Sequence, residues 1–418
     1  MISDDTLRRV LPDAAVALLG DVIRWSLWTL VLVVWATFLP IYLHMIGFTL
    51  RDPSHSDFTI FYYTARMVRD GLPMYGVSPS RYGVTWVGDH LGNLNPPHFQ
   101  LLALPLGYLS YAQALAVWVA VSLACLGGSL VLIARELRLP WSWRRFWLWG
   151  AFTLSSAAFT TVAVTCELTF FLMLPFTLAW RAWRAERWTA AGTWLGVCAS
   201  VKLFVLLVVP WLIWRRQWRA LGAFIASASL LSAVGIAAFG LDAYRQWTAT
   251  LGRVGWWWLT MNASWQGFAS RMCAGSATLT PAIHRPDLVT LIAVTGSCVF
   301  AATTIAVAAR RRDHSRDRPI LLLLLGAVLS SPLGWVYYLP LGYGPILGWM
   351  GAERHWEGLR KAGTPSVTLL LVGLSLLYVP QESTLFGQPS SVASLTIGSA
   401  YFWGLLSLWL AILTTRAT

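Results

Sequence analysis

The sequence predicts an all-α polytopic membrane protein, and three observations carry that prediction. Of the 418 residues, 57% are hydrophobic and only 12% are charged, against about a quarter charged in a soluble domain. The apolar runs have helical length, and period-2 alternation is absent, which excludes an outer-membrane barrel. The basic residues stand in short clusters between those runs, as the positive-inside rule requires. That placement accounts for the net charge of +13 without a nucleic-acid partner.

A first span is expected over about 23–48. It lacks a short apolar region ending in a small-residue cleavage site, so it reads as a signal anchor rather than a removable leader. A loop at 49–110, rich in Pro, Gly, His and Tyr, follows it. Further spans are expected near 111–134, 146–164, 168–181, 219–239, 287–309, 319–332, 335–350, 366–380 and 395–414. Between them lie Arg135 with Arg138, Arg144-Arg145, then Arg181, Arg184 and Arg187, then Arg215-Arg216 with Arg219. Arg310-Arg311-Arg312 with Arg316 and Arg318, and finally Arg354, Arg360 and Lys361, complete the set. Placing every cluster in the cytoplasm gives a consistent alternation with both termini inside.

Residues 188–214 break the pattern, because they leave one cytoplasmic cluster and return to the next. Each half is about 20 Å long, too short for a hydrocarbon core of about 30 Å. A half-depth hairpin is expected, with Lys202 near its tip, and the total becomes about twelve helices. Irregular backbone at that depth is tolerated only against protein or a water-filled cavity.

Two loops, 49–110 and 240–286, are assigned to the outer face. In the first, Phe58, Phe61, Ala65 and Val68 form a helical stripe, expected to lie on the membrane surface. The second carries Gly255-Trp256-Trp257-Trp258, which suits an interfacial aromatic belt. No internal repeat points to a transporter built from two halves. The five cysteines show no metal-ligand spacing and read as small buried hydrophobes. Metal clusters, phosphate-cradling glycine loops and a nucleophile elbow are all missing from the pattern.

Chemistry is sought where the polar residues gather. Ser56-Asp57-Phe58-Thr59-Ile60-Phe61-Tyr62-Tyr63 puts a lone carboxylate among aromatics just past the first span. Either Ser56 or Asp57 caps the following helix, or Asp57 is a general base, and one carboxylate can do both. Lys202 either snorkels to an interface or faces a cavity where a lipid phosphate binds. Glu167 is either a surface carboxylate or a group that orients a sugar hydroxyl or a cation. The run Asn262–Arg271 combines amides, Trp265 and a guanidinium, which suits sugar and phosphate recognition as well as an ordinary polar loop. Asn95-Pro96-Pro97-His98 closes the first loop, and Ser331-Pro332-Leu333-Gly334-Trp335 with Tyr337 and Tyr338 interrupts a span near the outer face. Their Pro and Gly serve as helix breakers, and His98 reads as a hydrogen-bonded interfacial histidine or a catalyst.

Taken together these pieces resemble the polytopic GT-C glycosyltransferases of family 87, over about residues 23–345. The marks are Ser56-Asp57-Phe58 with Tyr62, Tyr63 and Ala65, then Gly71-Leu72-Pro73-Met74-Tyr75 and Asn95-Pro96-Pro97. Lys202 with Pro210 before Arg215-Arg216, the Asn262–Arg271 run, and Ser331-Pro332 with Trp335 follow in order. Two positions depart from the family pattern. Gly-Gln is common where Cys166-Glu167 stands, and a His where Tyr337 or Tyr338 follows Trp335.

The resemblance implies a GT-C-type bundle in a bacterial plasma membrane, with a large first outer loop carrying interfacial helices. It implies an inverting enzyme that moves a sugar, usually mannose, from a polyprenyl-phosphate donor to a glycolipid or polysaccharide hydroxyl on the outer face. A monomer without metal or cofactor is expected. Asp57 matches the family's base, with Lys202, Arg271 and His98 expected at the donor phosphate. Tyr62, Tyr63, Asn95, Glu167, Asn262 and Gln266 are expected near sugar and acceptor, together with Trp335, Tyr337 and Tyr338. The rivals are a pentose (arabinofuranosyl) donor, a lipid or solute transporter, and a scaffolding membrane protein.

Overall fold

The computed structural model describes residues 57–76, 92–139, 156–276, 279–310, 315–351, 363–379 and 390–415, with separate helical positions between 29 and 47. Ser56, Arg144-Arg145, Arg354, Arg360 and Lys361 lie outside the described residues, as do parts of the spans expected at 23–48 and 146–164. The described chain is helical, with two isolated β-bridges.

Helix α1 is Asp57–Arg69, α2 Pro97–Ala103, α3 Tyr111–Glu136, α4 Ala157–Thr165 and α5 Thr169–Arg184. Then come α6 Trp188–Val201, α7 Val208–Trp214, α8 Trp218–Leu251, α9 Trp265–Cys273 and α10 Val289–Ala308. The last are α11 Arg318–Ser330, α12 Tyr343–Trp349, α13 Gly363–Leu376, α14 Ser391–Leu395 and α15 Ala400–Thr414. Among the described residues four segments are long and apolar enough to cross a bilayer: Tyr111–Glu136, Trp218–Leu251, Pro286–Ala308 and Ser391–Thr414. Helix α3 starts on a capping box, with the Ser110 hydroxyl accepting from the Gln113 N–H, so its entry point is defined locally. Helix α8 breaks at Gly240, whose φ of 78° and ψ of 165° are non-helical and cost glycine little.

The shorter helices explain how the chain turns inside the bundle. Helices α5 and α7 end in the same way. Glu186 and Arg216 adopt left-handed φ values of 56° and 54°. The next N–H reaches back to a carbonyl of the last turn, Arg187 to Ala182 and Gln217 to Leu212, both at 2.8 Å. These are Schellman closures, and they fold the chain back at its arginine clusters. Between them α6, with 14 residues, runs about 21 Å to Lys202. A 3-10 segment, Leu203–Leu207, and α7 then return. Residues 188–214 are thus two helical arms meeting at Lys202.

A second hairpin of the same kind was not foreseen. Helix α11 has only 13 residues, about 20 Å, and is followed by the Ser331–Trp335 break, a 3-10 segment Val336–Gly342, and α12. Gly344 lies against the Trp180 ring, and Gly348 abuts Asp317 just before α11. The chain therefore comes back to the end it left. Residues 319–332 and 335–350, expected as two separate crossings, are the two arms of one short hairpin.

Close packing holds these hairpins in the bundle. A Cβ on Gly192 would run into the Ala220 backbone, and one on Gly196 into Ser227 and the Phe224 carbonyl. Small residues one turn apart thus let α6 and α8 approach backbone to backbone. At the arginine end, the Trp180 indole N–H donates to Asp317 at 2.6 Å, and Arg184 lies 3.5 Å from the same carboxylate. Arg318 donates to the Ile412 carbonyl at 2.9 Å, tying α11 to α15.

Helix α1 differs from its expected setting. Phe58, Phe61 and Ala65 are buried against protein. Their neighbours are Trp118, with ring centroids 5.6 and 5.3 Å from Phe58 and Phe61, and Phe99, 5.2 Å from Phe61. The stripe that suggested a membrane-surface helix is core, because α2 and α3 cover it before lipid can.

Candidate active site

Three breaks in helical structure converge at the end of the bundle opposite the arginine turns. The first is the start of α1, where Asp57 is the leading residue and half-buried. A helix N-terminus favours a carboxylate. Its position is set by Phe58 and Phe61 on the Trp118 ring and by a 2.7 Å hydrogen bond between the Thr59 and Tyr111 hydroxyls.

The second break is the turn between α4 and α5. Helix α4 stops on Cys166, which takes the left-handed conformation with φ of 52° and ψ of 36°. Such a conformation is uncommon for a residue with a side chain. The Cys166 carbonyl accepts the Trp118 indole N–H at 2.8 Å. One tryptophan therefore braces both the start of α1 and the turn that carries Glu167. Glu167 is only 2% exposed. Its Oε2 accepts the Thr169 N–H at 2.7 Å and the Thr169 hydroxyl at 2.5 Å.

The third break is the tip of the first hairpin. Lys202 leaves α6 in an extended conformation, and its Nζ lies 3.1 Å from Glu167 Oε1. The approach is a contact of charges without the angle of a good hydrogen bond. The ammonium also sits 5.6 Å from the centre of the Tyr338 ring and within hydrogen-bond range of its hydroxyl. Phe204 stacks on Tyr338 at 4.5 Å, locking the tips of the two hairpins together. Tyr337 packs edge-on to Tyr338 and stacks on Trp335.

Asp57 feels this group. Burial chiefly, and then the Glu167 charge, push its carboxyl from 3.8 up to about 7, with Lys202 opposing them. A carboxyl that gains and loses its proton near neutrality is what a general base requires.

The structure thus brings together Asp57, Glu167, Lys202, Tyr337 and Tyr338. Others from the expected set stand elsewhere. Arg271 is 0% exposed and fully engaged by protein. It donates to the Ser399 hydroxyl at 2.8 Å and to the carbonyls of Leu259, Trp258 and Asn262 at 2.9 to 3.3 Å. With those donors engaged it ties the 254–263 loop to α9 and is not available to a phosphate, which corrects its expected role. Asn262 is likewise structural. Its amide donates to the Trp257 and Pro332 carbonyls, both at 3.0 Å, while its oxygen accepts from Ser264 and Gly334. No bonding capacity remains for an acceptor sugar.

Tyr62 is buried and donates to the Leu109 carbonyl at 2.8 Å, so it too is a brace. Tyr63 is half-buried and stacks on Tyr111 at 6.1 Å. Trp335 is buried between Trp256 and Tyr337, with backbone pairing to Asn262. Gln266 is half-buried on α9. His98 pairs its Nδ1 with the Tyr244 hydroxyl at 3.0 Å. Burial drives its imidazolium down to about 4, so at neutral pH the ring is uncharged.

Beside His98 lie polar atoms without protein partners. Buried and unbonded among the described residues are His98 Nε2, Asn95 Oδ1, Asn93 Nδ2 and both amide atoms of Gln100. Sequence reasoning missed Asn93, Gln100, Thr169 and Trp118. The first two resemble any other amide in sequence, Trp118 acts through contacts distant along the chain, and Thr169, only two residues from Glu167, looks in sequence like any other helix-start threonine.

Fold and site together define a helical membrane protein with an acid–cation centre at the meeting point of short helical hairpins. The chain belongs to glycosyltransferase family 87, whose profile matches residues 93–334. That match includes Glu167 and Lys202 and stops short of Asp57 and Tyr337. The chain is 26% identical over 305 residues to the polyprenol-phosphate-mannose-dependent alpha-(1-2)-phosphatidylinositol pentamannoside mannosyltransferase of Mycobacterium tuberculosis. That alignment covers 71% of this chain and 65% of the relative, just under two thirds of its length. The enzyme of the same name from Mycolicibacterium smegmatis is 25% identical over 305 residues, 70% of each chain. The polyprenol-phosphate-mannose-dependent alpha-(1-2)-phosphatidylinositol mannoside mannosyltransferase of M. tuberculosis is 24% identical over 343 residues, 77% of this chain and 76% of that one. No solved structure matches the chain.

Proposed function

We propose that this protein transfers mannose from a polyprenyl-phosphate donor to a hydroxyl of a glycolipid acceptor, with Asp57 as general base. The reaction joins the acceptor oxygen to the anomeric carbon and breaks the bond from that carbon to the phosphate oxygen. The hydroxyl proton passes to Asp57, and the polyprenyl phosphate leaves with the bonding electrons. Inversion at the anomeric carbon follows from a single displacement.

The observation that carries this reading is the juxtaposition of a neutral-range carboxyl, Asp57, with the Lys202 ammonium. A base for the incoming hydroxyl and a cation for the departing phosphate are the two groups the displacement needs. Lys202 acts from a low-dielectric tip, where a fixed charge is worth more than in water. The donor's apolar tail lies among the helices that carry Lys202, and the acceptor approaches from the side of the loops at 49–110 and 240–286, on the outer face. The mannosyltransferase activities named for the three relatives favour mannose over a pentose donor, and membership of a glycosyltransferase family disfavours the transporter and scaffold readings.

The test incubates purified protein with polyprenyl-phosphate-[14C]mannose and a bacterial lipid extract, comparing wild type with Asp57→Asn. Label in the lipid fraction with wild type alone is the expected result. Full transfer by the variant overturns the base. No consumption of donor by wild type with any acceptor lipid overturns the reaction itself.

A further inference from the structure

Glu167 is not explained by transfer from a lipid phosphate. An anion beside the cation that meets the leaving phosphate weakens that cation's grip, and a nearly buried carboxylate costs several kcal/mol to desolvate unless it is paired. Yet Glu167 is the most fixed side chain of the centre. Both Thr169 donors hold Oε2, and Cys166 adopts a strained backbone immediately before it. The Trp118 indole secures the Cys166 carbonyl while its ring packs on Phe58, next to Asp57. Such an arrangement keeps a charge at one place relative to Asp57.

We propose that Glu167 is a positioning residue for the reaction at Asp57. Clamped by Thr169, it holds the Lys202 ammonium at the head of α1 and keeps a second negative charge beside the base. This deepens the mannosyl-transfer reading and rests on it for the word reaction. The placement of charge is a property of the protein alone.

The groups facing Asp57 from the elements around it are few among the described residues. Glu167 and Cys166 come from the α4–α5 turn, Lys202 from the end of α6, and Tyr337 and Tyr338 from the 3-10 segment after α11. Arg66 and Arg69 are at the far end of α1. Of these only Glu167 adds negative charge at neutral pH. It therefore makes Asp57 a stronger proton acceptor, while Lys202 offsets part of that effect. The same pairing keeps Lys202 from straying to a surface when no donor is bound. An arriving phosphate then shares the ammonium with Glu167, so removing the Glu167 charge strengthens donor binding and weakens the base.

Charge and shape are separable here. Full-length protein in nanodiscs is treated with dicyclohexylcarbodiimide from pH 5 to 9, and adduct at Asp57 is quantified by peptide mass spectrometry. The carbodiimide reacts with the protonated carboxyl, so labelling falls as pH rises through the Asp57 midpoint. Wild type is expected to show a midpoint near 7. Glu167→Gln is expected to lower it by about one pH unit. Glu167→Asp retains the charge and is expected to stay near wild type. If the glutamine variant loses its fold, Glu167→Gln/Lys202→Met removes both charges without stranding one. Its midpoint is expected about one unit below that of Glu167→Asp/Lys202→Met, which retains only the negative charge of the pair, and equal midpoints in the two double variants would overturn the proposal.

An unchanged midpoint in Glu167→Gln overturns the proposal, and so does an equal fall in the glutamine and aspartate variants. Because no donor takes part, absence of mannosyl transfer in wild type would sink the proposed reaction without altering this result. In the transfer assay, Glu167→Gln is expected to lower donor KM by about threefold to tenfold and to move the acid limb of the kcat profile to lower pH. A uniform loss of kcat at every pH, with donor KM unchanged, would mark Glu167 as a structural brace only.

Discussion

The sharpest consequence of the site is the pH dependence of transfer. Burial and the Glu167 charge raise Asp57 to about 7. A raised carboxyl holds its proton through the mildly acid range, and a protonated carboxyl cannot accept another. The ionised fraction is then about one tenth at pH 6, half at pH 7 and nine tenths at pH 8. Initial rates at saturating acceptor should rise about tenfold between pH 6 and 8 and flatten above that. An Asp at its ordinary 3.8 would give no such slope over this interval. Asp57→Asn should cost about 10²- to 10⁴-fold in kcat, the usual contribution of a general base, and remove the slope with it. The assay is release of labelled mannose from polyprenyl phosphate into lipid product, in buffers of constant ionic strength. A flat wild-type profile from pH 5.5 to 8, or a slope that survives in Asp57→Asn, would refute the assignment.

Other expectations concern stability. Lys202→Met leaves Glu167 buried without its cation and should destabilise the protein by about 3–5 kcal/mol, read as the loss of thermal midpoint in detergent. Adding Glu167→Gln should recover most of that loss, and a double variant no more stable than the single would deny the pairing. Arg271→Met strands the Leu259 and Asn262 carbonyls and should lower the thermal midpoint while leaving donor KM of the folded protein unchanged. A rise in donor KM would return Arg271 to the phosphate. Gly196→Leu drives a side chain into the Phe224 carbonyl and should prevent α6 and α8 from packing, seen as loss of monodisperse protein on size exclusion. Gln100→Met replaces a buried amide without partners and should stabilise the resting protein by about 1–3 kcal/mol. If Gln100 also binds acceptor, the same variant raises acceptor KM.

Much of the fold is written along the chain as local pattern. The apolar run at 111–134 and the capping pair Ser110 and Gln113 define α3 without reference to any other segment. The spacing of the arginine clusters around 188–214 leaves too little chain for a crossing, so the first hairpin and the position of Lys202 at its tip were legible. Asp57 stood out because an acid at the edge of an apolar span has few uses. By contrast, residues 319–350 read as two crossings, since apolar composition does not show where a helix turns back. Gly344 against Trp180 and Gly348 against Asp317 made that turn, and those contacts join residues far apart in sequence.

The same division runs through the site. Composition, periodicity and charge placement by themselves determined a helical membrane protein with a lone acid, a rare lysine and a second acid near interrupted helices. Local sequence sets those properties, because helix length, caps and hydropathy depend on neighbours along the chain. Only the tertiary structure decided that Glu167 meets Lys202 at 3.1 Å, that both act on Asp57, and that Arg271 and Asn262 instead serve the loop that holds them. A guanidinium or amide looks the same in sequence whether it awaits a ligand or is already bonded, and burial beside a partner far along the chain is what separates the two.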